Sequence, residues 1–255
     1  MENGLWLPPL ISHAMDLSEK MPRLVRRLGG DIYGVADLTT VKEEVIRQGG
    51  HELSAFPRAV SIGVGLMHPI VDRLPDRDRS AVAVAYHTHA YEVVNLRLDA
   101  IASRVSSALQ DAGFRAYPIS VAERIEDERI CGEFSHKLAA HVAGLGWIGK
   151  SCLLVTPQAG PRVRWTTVLT NAPLPPTGEP LEQRCGGCRE CVDACPIQAF
   201  TGRNFVPGEP REMRYDARAC EKYFSDMKAE RKVAVCGMCL YACPYGKKAS
   251  RDLHV

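Results

Sequence analysis

Eight of the ten cysteines in this 255-residue chain lie between residues 185 and 243, and only Cys131 and Cys152 lie before them. The segment at residues 1–10 has no basic stretch followed by an apolar run, so it does not read as a signal peptide. Arg26-Arg27 precede Leu28-Gly29-Gly30-Asp31 rather than apolar residues, which argues against a twin-arginine export signal. No stretch approaches the ~18 uninterrupted apolar residues of a membrane span. The expected compartment is therefore the cytoplasm, where thiols stay reduced and clustered cysteines bind metal instead of forming disulfides.

The spacing names the metal. Cys185-Gly-Gly-Cys188-Arg-Glu-Cys191-Val-Asp-Ala-Cys195-Pro196 is the run that binds [4Fe–4S] clusters in bacterial ferredoxins. Three thiolates on a tight loop cap three corners of a cubane, and the small Gly186 and Gly187 let backbone amides approach its sulfides. The fourth cysteine opens a helix, with Pro196 at a first helical position where its missing N–H costs nothing. A second run, Cys236-Gly-Met-Cys239-Leu-Tyr-Ala-Cys243-Pro244, has its remaining partner, Cys220, well upstream. Crossed ligation gives one cluster Cys185, Cys188, Cys191 and Cys243, and the other Cys195, Cys220, Cys236 and Cys239. Zinc is the alternative, since C-x2-C pairs also build structural zinc sites, but zinc does not call for the x3-C-P tails of both runs. Cys131 and Cys152 read as packed structural thiols.

The rest of the chain is ordinary globular protein, 45% apolar and 24% charged. Its net charge of +2 is no electrostatic footprint for a dedicated nucleic-acid binder. Residues 171–180 hold four prolines and a glycine, which reads as a linker. The expected division is thus 1–180 and 181–255. Before the linker, apolar runs rich in Val and Ile at 32–38, 59–67 and 80–86 read as strands. Residues 151–156 and 163–170 read as a further strand pair around a Pro157–Pro161 turn. Thr40 to Glu43 fits a capping box for a helix ended by Gly49-Gly50. Residues 95–112 carry helical periodicity up to Gly113, and Phe134, Leu138 and Val142 suggest a helix ending at Gly144. The fold class is α+β: a helix-covered mixed sheet followed by a small, bacterial-ferredoxin-like domain with two clusters.

The stretch Ala143-Gly-Leu-Gly-Trp-Ile-Gly-Lys150, together with the cysteine pattern and its remote member, resembles the epoxyqueuosine reductase family. That resemblance implies a base-off cobalamin between the two domains, reduced by the clusters, and kinship with reductive dehalogenases. It implies that Gly144, Gly146 and Gly149 let the backbone lie against the corrin while Trp147 and Lys150 line or anchor it. The other reading of the motif is a helix stop and turn packed on the sheet. Where the family carries an acidic proton donor, this chain has His136, with Glu133 one helical turn away; histidine can also donate a proton near neutral pH. A solvated helix histidine is the plainer account. His87 and His89, following a predicted strand, could share one face of it.

The expected function is an iron–sulfur oxidoreductase, a cobalamin-dependent reductase fed by a low-potential donor such as ferredoxin or flavodoxin. Many family members continue into helical repeats that grip tRNA, whereas this sequence stops a dozen residues past its last cysteine. With the modest charge, that points to a small-molecule substrate and away from tRNA. The alternative is a ferredoxin-like carrier that delivers electrons to a partner, for example to reactivate a corrinoid protein. A flavin-binding relative is a third option, although no G-x-G-x-x-G follows a strand.

Overall fold

A computed structural model of the chain describes residues 10–125, 128–230 and 232–254. Residues 1–9, most of the segment read above for a leader, lie outside it. In chain order the elements begin with α1 (Leu10–Arg27), β1 (Ile32–Asp37), α2 (Lys42–Leu53), β2 (Arg58–Gly65), α3 (His68–Val71) and α4 (Ser80–His87). A π-helical segment, Thr88–Val93, joins α4 to α5 (Val94–Asp111). Then come β3 (Ala116–Ile119), α6 (His136–Val142), β4 (Trp147–Ile148), β5 (Leu154–Val155) and β6 (Val163–Thr170). The cysteine-rich part adds α7 (Glu190–Asp193), α8 (Ala217–Ala229), α9 (Met238–Tyr241) and α10 (Pro244–Arg251).

The sheet runs β1-β2-β6-β3 with every neighbouring pair antiparallel, so within the α+β class it is antiparallel, not mixed. Strand alternation gives β2 two different faces. Val60, Ile62 and Val64 join Leu98, Ile101, Val105 and Leu109 of α5 and the stripe Leu17, Met21 and Val25 of α1 in one core. The opposite face carries small residues, with Ala36 and Ala59 packed against Ala139 and Val142 of α6. A Cβ on Gly34 would lie 3.1 Å from that of Ala143, so small residues set how closely α6 sits on the sheet.

Glycine ends α6 as expected. Gly144 has φ of +77°, its N–H reaches the His141 carbonyl at 3.0 Å, and the Leu145 N–H reaches Ala140 at 3.0 Å. These are the two bonds of a Schellman stop. Gly113, at φ +87°, follows α5 in the same left-handed region.

Five expectations change. Residues 80–86 form helix α4: Val82, Ala83 and Tyr86 are buried at helical spacing while Val84 is 49% exposed, and alternating alanines favour the helix. Residues 151–156 and 163–170 do not pair with each other. β5 pairs with β4, while β6, buried along its length, takes the centre of the sheet between β2 and β3. The turn between β1 and α2 is capped by Asp37, which accepts the Thr39 N–H at 3.0 Å, and not by a Thr40–Glu43 box. Gly50, at φ +77°, only kinks α2, which resumes to Leu53. Lastly, the proline-rich segment is no free tether. Thr177 exchanges backbone and side-chain bonds with Val35 and donates its hydroxyl to the Ala143 carbonyl at 3.1 Å.

Candidate metal centre and the cavity beside it

The cysteine-rich part is fastened to the sheet part through chemistry that begins in the glycine motif. Lys150 is buried, and its ammonium donates to the carbonyls of Gly186 and Cys188 at 2.8 and 3.0 Å, gripping the first cysteine loop. Gln183 donates to the Ile148 carbonyl at 2.8 Å and accepts from the Cys185 N–H at 3.2 Å. Trp147 is 1% exposed and meets the Tyr245 ring edge-on at 4.8 Å. Arg162, with no exposed surface, pairs with Asp72 at 2.7 Å, and Asp72 also accepts the Ser250 hydroxyl of α10. A Cβ on Gly160 would sit 2.3 Å from the Gly246 nitrogen, so the two backbones touch there.

The structure gathers the eight thiols in two quartets. Burial, then the neighbouring thiols of Cys185, Cys243 and Cys188, pushes Cys191 up to about 11. Cys243, raised first by burial, has the same neighbours, Cys185 and Cys188. Cys220 is raised by burial against a hydrogen bond with Tyr215, and Cys236 and Cys195 stand beside it. Cys239 is pushed up most strongly, by burial and then by Cys236, Cys220, Cys191 and Cys195. These neighbours place Cys185, Cys188, Cys191 and Cys243 near one another, and Cys195, Cys220, Cys236 and Cys239 near one another. Cys191 and Cys239 bring the two next to each other. Sulfur-only donor sets of four suit iron–sulfur cubanes.

The second quartet is backed by the helix that sequence reading took for a strand. Tyr86 and Tyr91, 5.8 Å apart and edge-on, lie near Cys239, and a Cβ on Gly237 would touch Leu74 and the Tyr86 hydroxyl. His87 and His89 share no strand face. His87 lies 3.3 Å from Glu92, and His89 accepts the Met67 N–H at 3.0 Å.

Beside the quartets lies a cavity of about 730 Å³, walled by α2, residues 129–135, α6 and residues 205–214. The β4–β5 hairpin separates it from the first cysteine loop: Ile148 and Cys152 face the cavity, while a Cβ on Gly149 would lie 3.6 Å from Cys185 Sγ. On another side Arg211 and Arg214 line the cavity, and Tyr215 bonds Cys220. Both quartets are therefore one short segment away from it.

Of the motif residues expected at a corrin, only their neighbour Ile148 borders this cavity. The glycines instead meet the chain itself: a Cβ on Gly144 would lie 2.9 Å from the Glu179 carbonyl oxygen, and one on Gly146 2.4 Å from that of Val155. His136 does line the cavity, opening α6 behind the cap Ser135. Its Nε2–H donates to the Ser120 carbonyl at 3.1 Å, which leaves Nδ1 to accept the Thr167 hydroxyl at 2.9 Å. Burial lowers its pKa to about 4, so the ring is neutral at neutral pH with both nitrogens engaged. It is neither a solvated histidine nor a free proton donor in this arrangement. Glu133 accepts the Tyr117 hydroxyl at 3.0 Å. Cys152 is buried at φ +55°, and Cys131 is half-buried on the cavity wall. Lys137, Arg211 and Arg214 had no local motif to mark them; they meet only through contacts between distant segments.

A profile described as "4Fe-4S double cluster binding domain" matches residues 184–246. The chain is 32% identical over 133 residues to the epoxyqueuosine reductase of Bacillus cereus, a match covering 48% of this chain and 32% of that protein. Over about half its length the chain is thus similar to epoxyqueuosine reductases. A crystal structure of epoxyqueuosine reductase with an epoxyqueuosine-modified tRNA-Tyr stem loop shares this fold over 92% of the chain and 66% of its own. Its TM-score is 0.58 at 23% identity. A reductive dehalogenase structure interpreted for B12-dependent dehalogenation covers the whole chain and 35% of its own, with TM-score 0.67 and 19% identity. The chain spans about a third to a half of the length of the curated relatives of the family that it matches. Nothing in these likenesses disfavours tRNA, against the expectation drawn from charge and the C-terminus. Among the described residues no helix is long and apolar enough to cross a membrane.

Proposed function

We propose that this chain is a cobalamin-dependent iron–sulfur reductase of the epoxyqueuosine reductase type, divided near residue 180 into a cavity-bearing α+β part and a two-cluster part. The observation that carries this reading is the placement of two thiol quartets side by side, each within one short segment of a large cavity. Cys185, Cys188, Cys191 and Cys243 would hold one [4Fe–4S] cluster, and Cys195, Cys220, Cys236 and Cys239 the other, together supplying a one-electron relay. Cobalamin, when bound, supplies a strongly reducing, nucleophilic cobalt. The cavity is the candidate seat for it, while Lys150 of the glycine motif holds the first cysteine loop. The chain's own residues would exclude water and orient the ligand, with His136 kept neutral at the wall.

The cavity accords with an epoxide or halide substrate, either as a small molecule or as a modified nucleoside presented on tRNA. Cys188 is exposed, which suits electron entry at the first cluster from a carrier such as ferredoxin or flavodoxin. Anaerobic reconstitution with cobalamin, followed by absorption spectroscopy, tests the proposal. Base-off corrinoid bands that shift on dithionite reduction support it. Iron–sulfur bands with no bound corrinoid would replace it with an electron carrier.

A further inference from the structure

Two cations converge on one residue of the cavity wall. Lys137 donates to the Cys152 carbonyl at 2.8 Å, and Arg214 Nη1 lies 3.5 Å from Cys152 Sγ. Arg214 is 4% exposed, its guanidinium carbon lies 4.9 Å from the centre of the Phe205 ring, and its Nε–H has no partner. Arg211, in the same wall, donates through its terminal nitrogens to the Ile130 and Arg129 carbonyls and to Glu212, and only its buried Nε–H is without a partner. Of the carboxylates nearby, Glu212 pairs with Arg211 at 3.0 Å, and Glu209 pairs with Arg203 at 2.6 Å through Oε1 while its buried Oε2 has no partner. Among the described residues no carboxylate pairs with Arg214 or Lys137. Burial, with Arg211 and Arg214 adding to it, holds the Lys137 ammonium below the usual lysine range.

Stacking on Phe205 covers a face of the Arg214 guanidinium but satisfies none of its edge N–H groups. A buried cation left without an anion is costly. Guanidinium groups present planar donors matched to oxyanions, and charge-assisted bonds to them are among the strong ones. We propose that Lys137, Arg211 and Arg214 form an oxyanion site that takes a phosphate group of the ligand filling this cavity. Three cations against Glu212, paired with one of them, and Glu209, shared with Arg203, leave net positive charge in the wall, which favours a phosphate over a neutral polar group. The site rests on these side chains and not on the corrinoid reading above.

The test uses the full chain with its clusters reconstituted anaerobically, titrated with inorganic phosphate by calorimetry. The wild type should bind one phosphate per chain, and Arg214→Gln and Lys137→Met should each weaken binding about tenfold at unchanged iron content. If Arg214→Gln loses iron, Lys137→Met decides alone. No binding by the wild type, or equal binding by the variants, overturns the site. Competition then identifies the phosphate's source. Displacement by cobalamin but not by cobinamide, which lacks the nucleotide phosphodiester, supports the site as the seat of a corrinoid tail. Displacement by neither supports it as a substrate phosphate site. A chain that binds phosphate but no corrinoid keeps the site while ending the reductase proposal.

Discussion

His136 shows how much of a residue's chemistry its surroundings decide. Half-buried between the Ser120 carbonyl and the Thr167 hydroxyl, it has a folded pKa of about 4, against about 6.5 in an unfolded chain. Its contribution to stability is therefore complete above about pH 6.5 and is lost as pH falls toward 4, at up to about 1.4 kcal/mol per pH unit. Urea unfolding at pH 7 and pH 5 should show a flatter pH dependence for His136→Gln than for the wild type; equal slopes would mean that the ring is not buried neutral. Lys150 is the second case. Replacing it by Met leaves the Gly186 and Cys188 carbonyls without their donor, a loss of about 1–3 kcal/mol. Lys150→Met should lose iron to a chelator faster than the wild type while retaining the sheet's circular dichroism. Neither role was readable in sequence. A histidine's partners and a lysine's target here lie 16 to 38 residues away, beyond any local pattern.

At the level of elements, glycine and periodicity were the dependable signals. The stop at Gly113 and the stripe on α5 depend on residues within a turn of one another, and they came out as read. The Schellman stop at Gly144 did too, and it carries a further demand, because the Glu179 backbone lies against it. Gly144→Ala should cost about 1–3 kcal/mol from the left-handed backbone alone, measured as a lowered denaturant midpoint, with the contact adding to it; a neutral substitution would contradict the close approach. Ser135→Ala should cost about 1 kcal/mol through loss of the α6 cap. The misread elements were those whose patterns permit two answers. A run of alternating Ala and Val suits a strand or a helix, and only packing of Val82, Ala83 and Tyr86 chose the helix. β6 looked like half of a hairpin, but a strand buried along its whole length needs a partner on each side, and those came from β2 and β3. The glycine motif was visible, yet whether its glycines admit a ligand or the chain itself depends on backbone that arrives from Val155 and Glu179.

For the whole molecule, the cysteine spacing was the most legible feature, since ligand loops are local and their chemistry fixes their length. In the proposed crossed ligation the end of the chain is tied to its middle, and Cys243 does stand near Cys188 although the two are in different runs. Cys243→Ser and Cys188→Ser should therefore perturb the same cluster's paramagnetic spectrum, and Cys220→Ser the other's. Different signatures for Cys243→Ser and Cys188→Ser would break the crossed assignment. The cavity between these parts was not legible, because its walls come from α2, α6 and residues 205–214 together. Beneath all of this lies the claim that eight thiolates hold two cubane clusters. Chemical analysis of anaerobically purified protein tests it directly: about eight iron and eight acid-labile sulfide per chain are expected, whereas zinc, or about four iron, would contradict it.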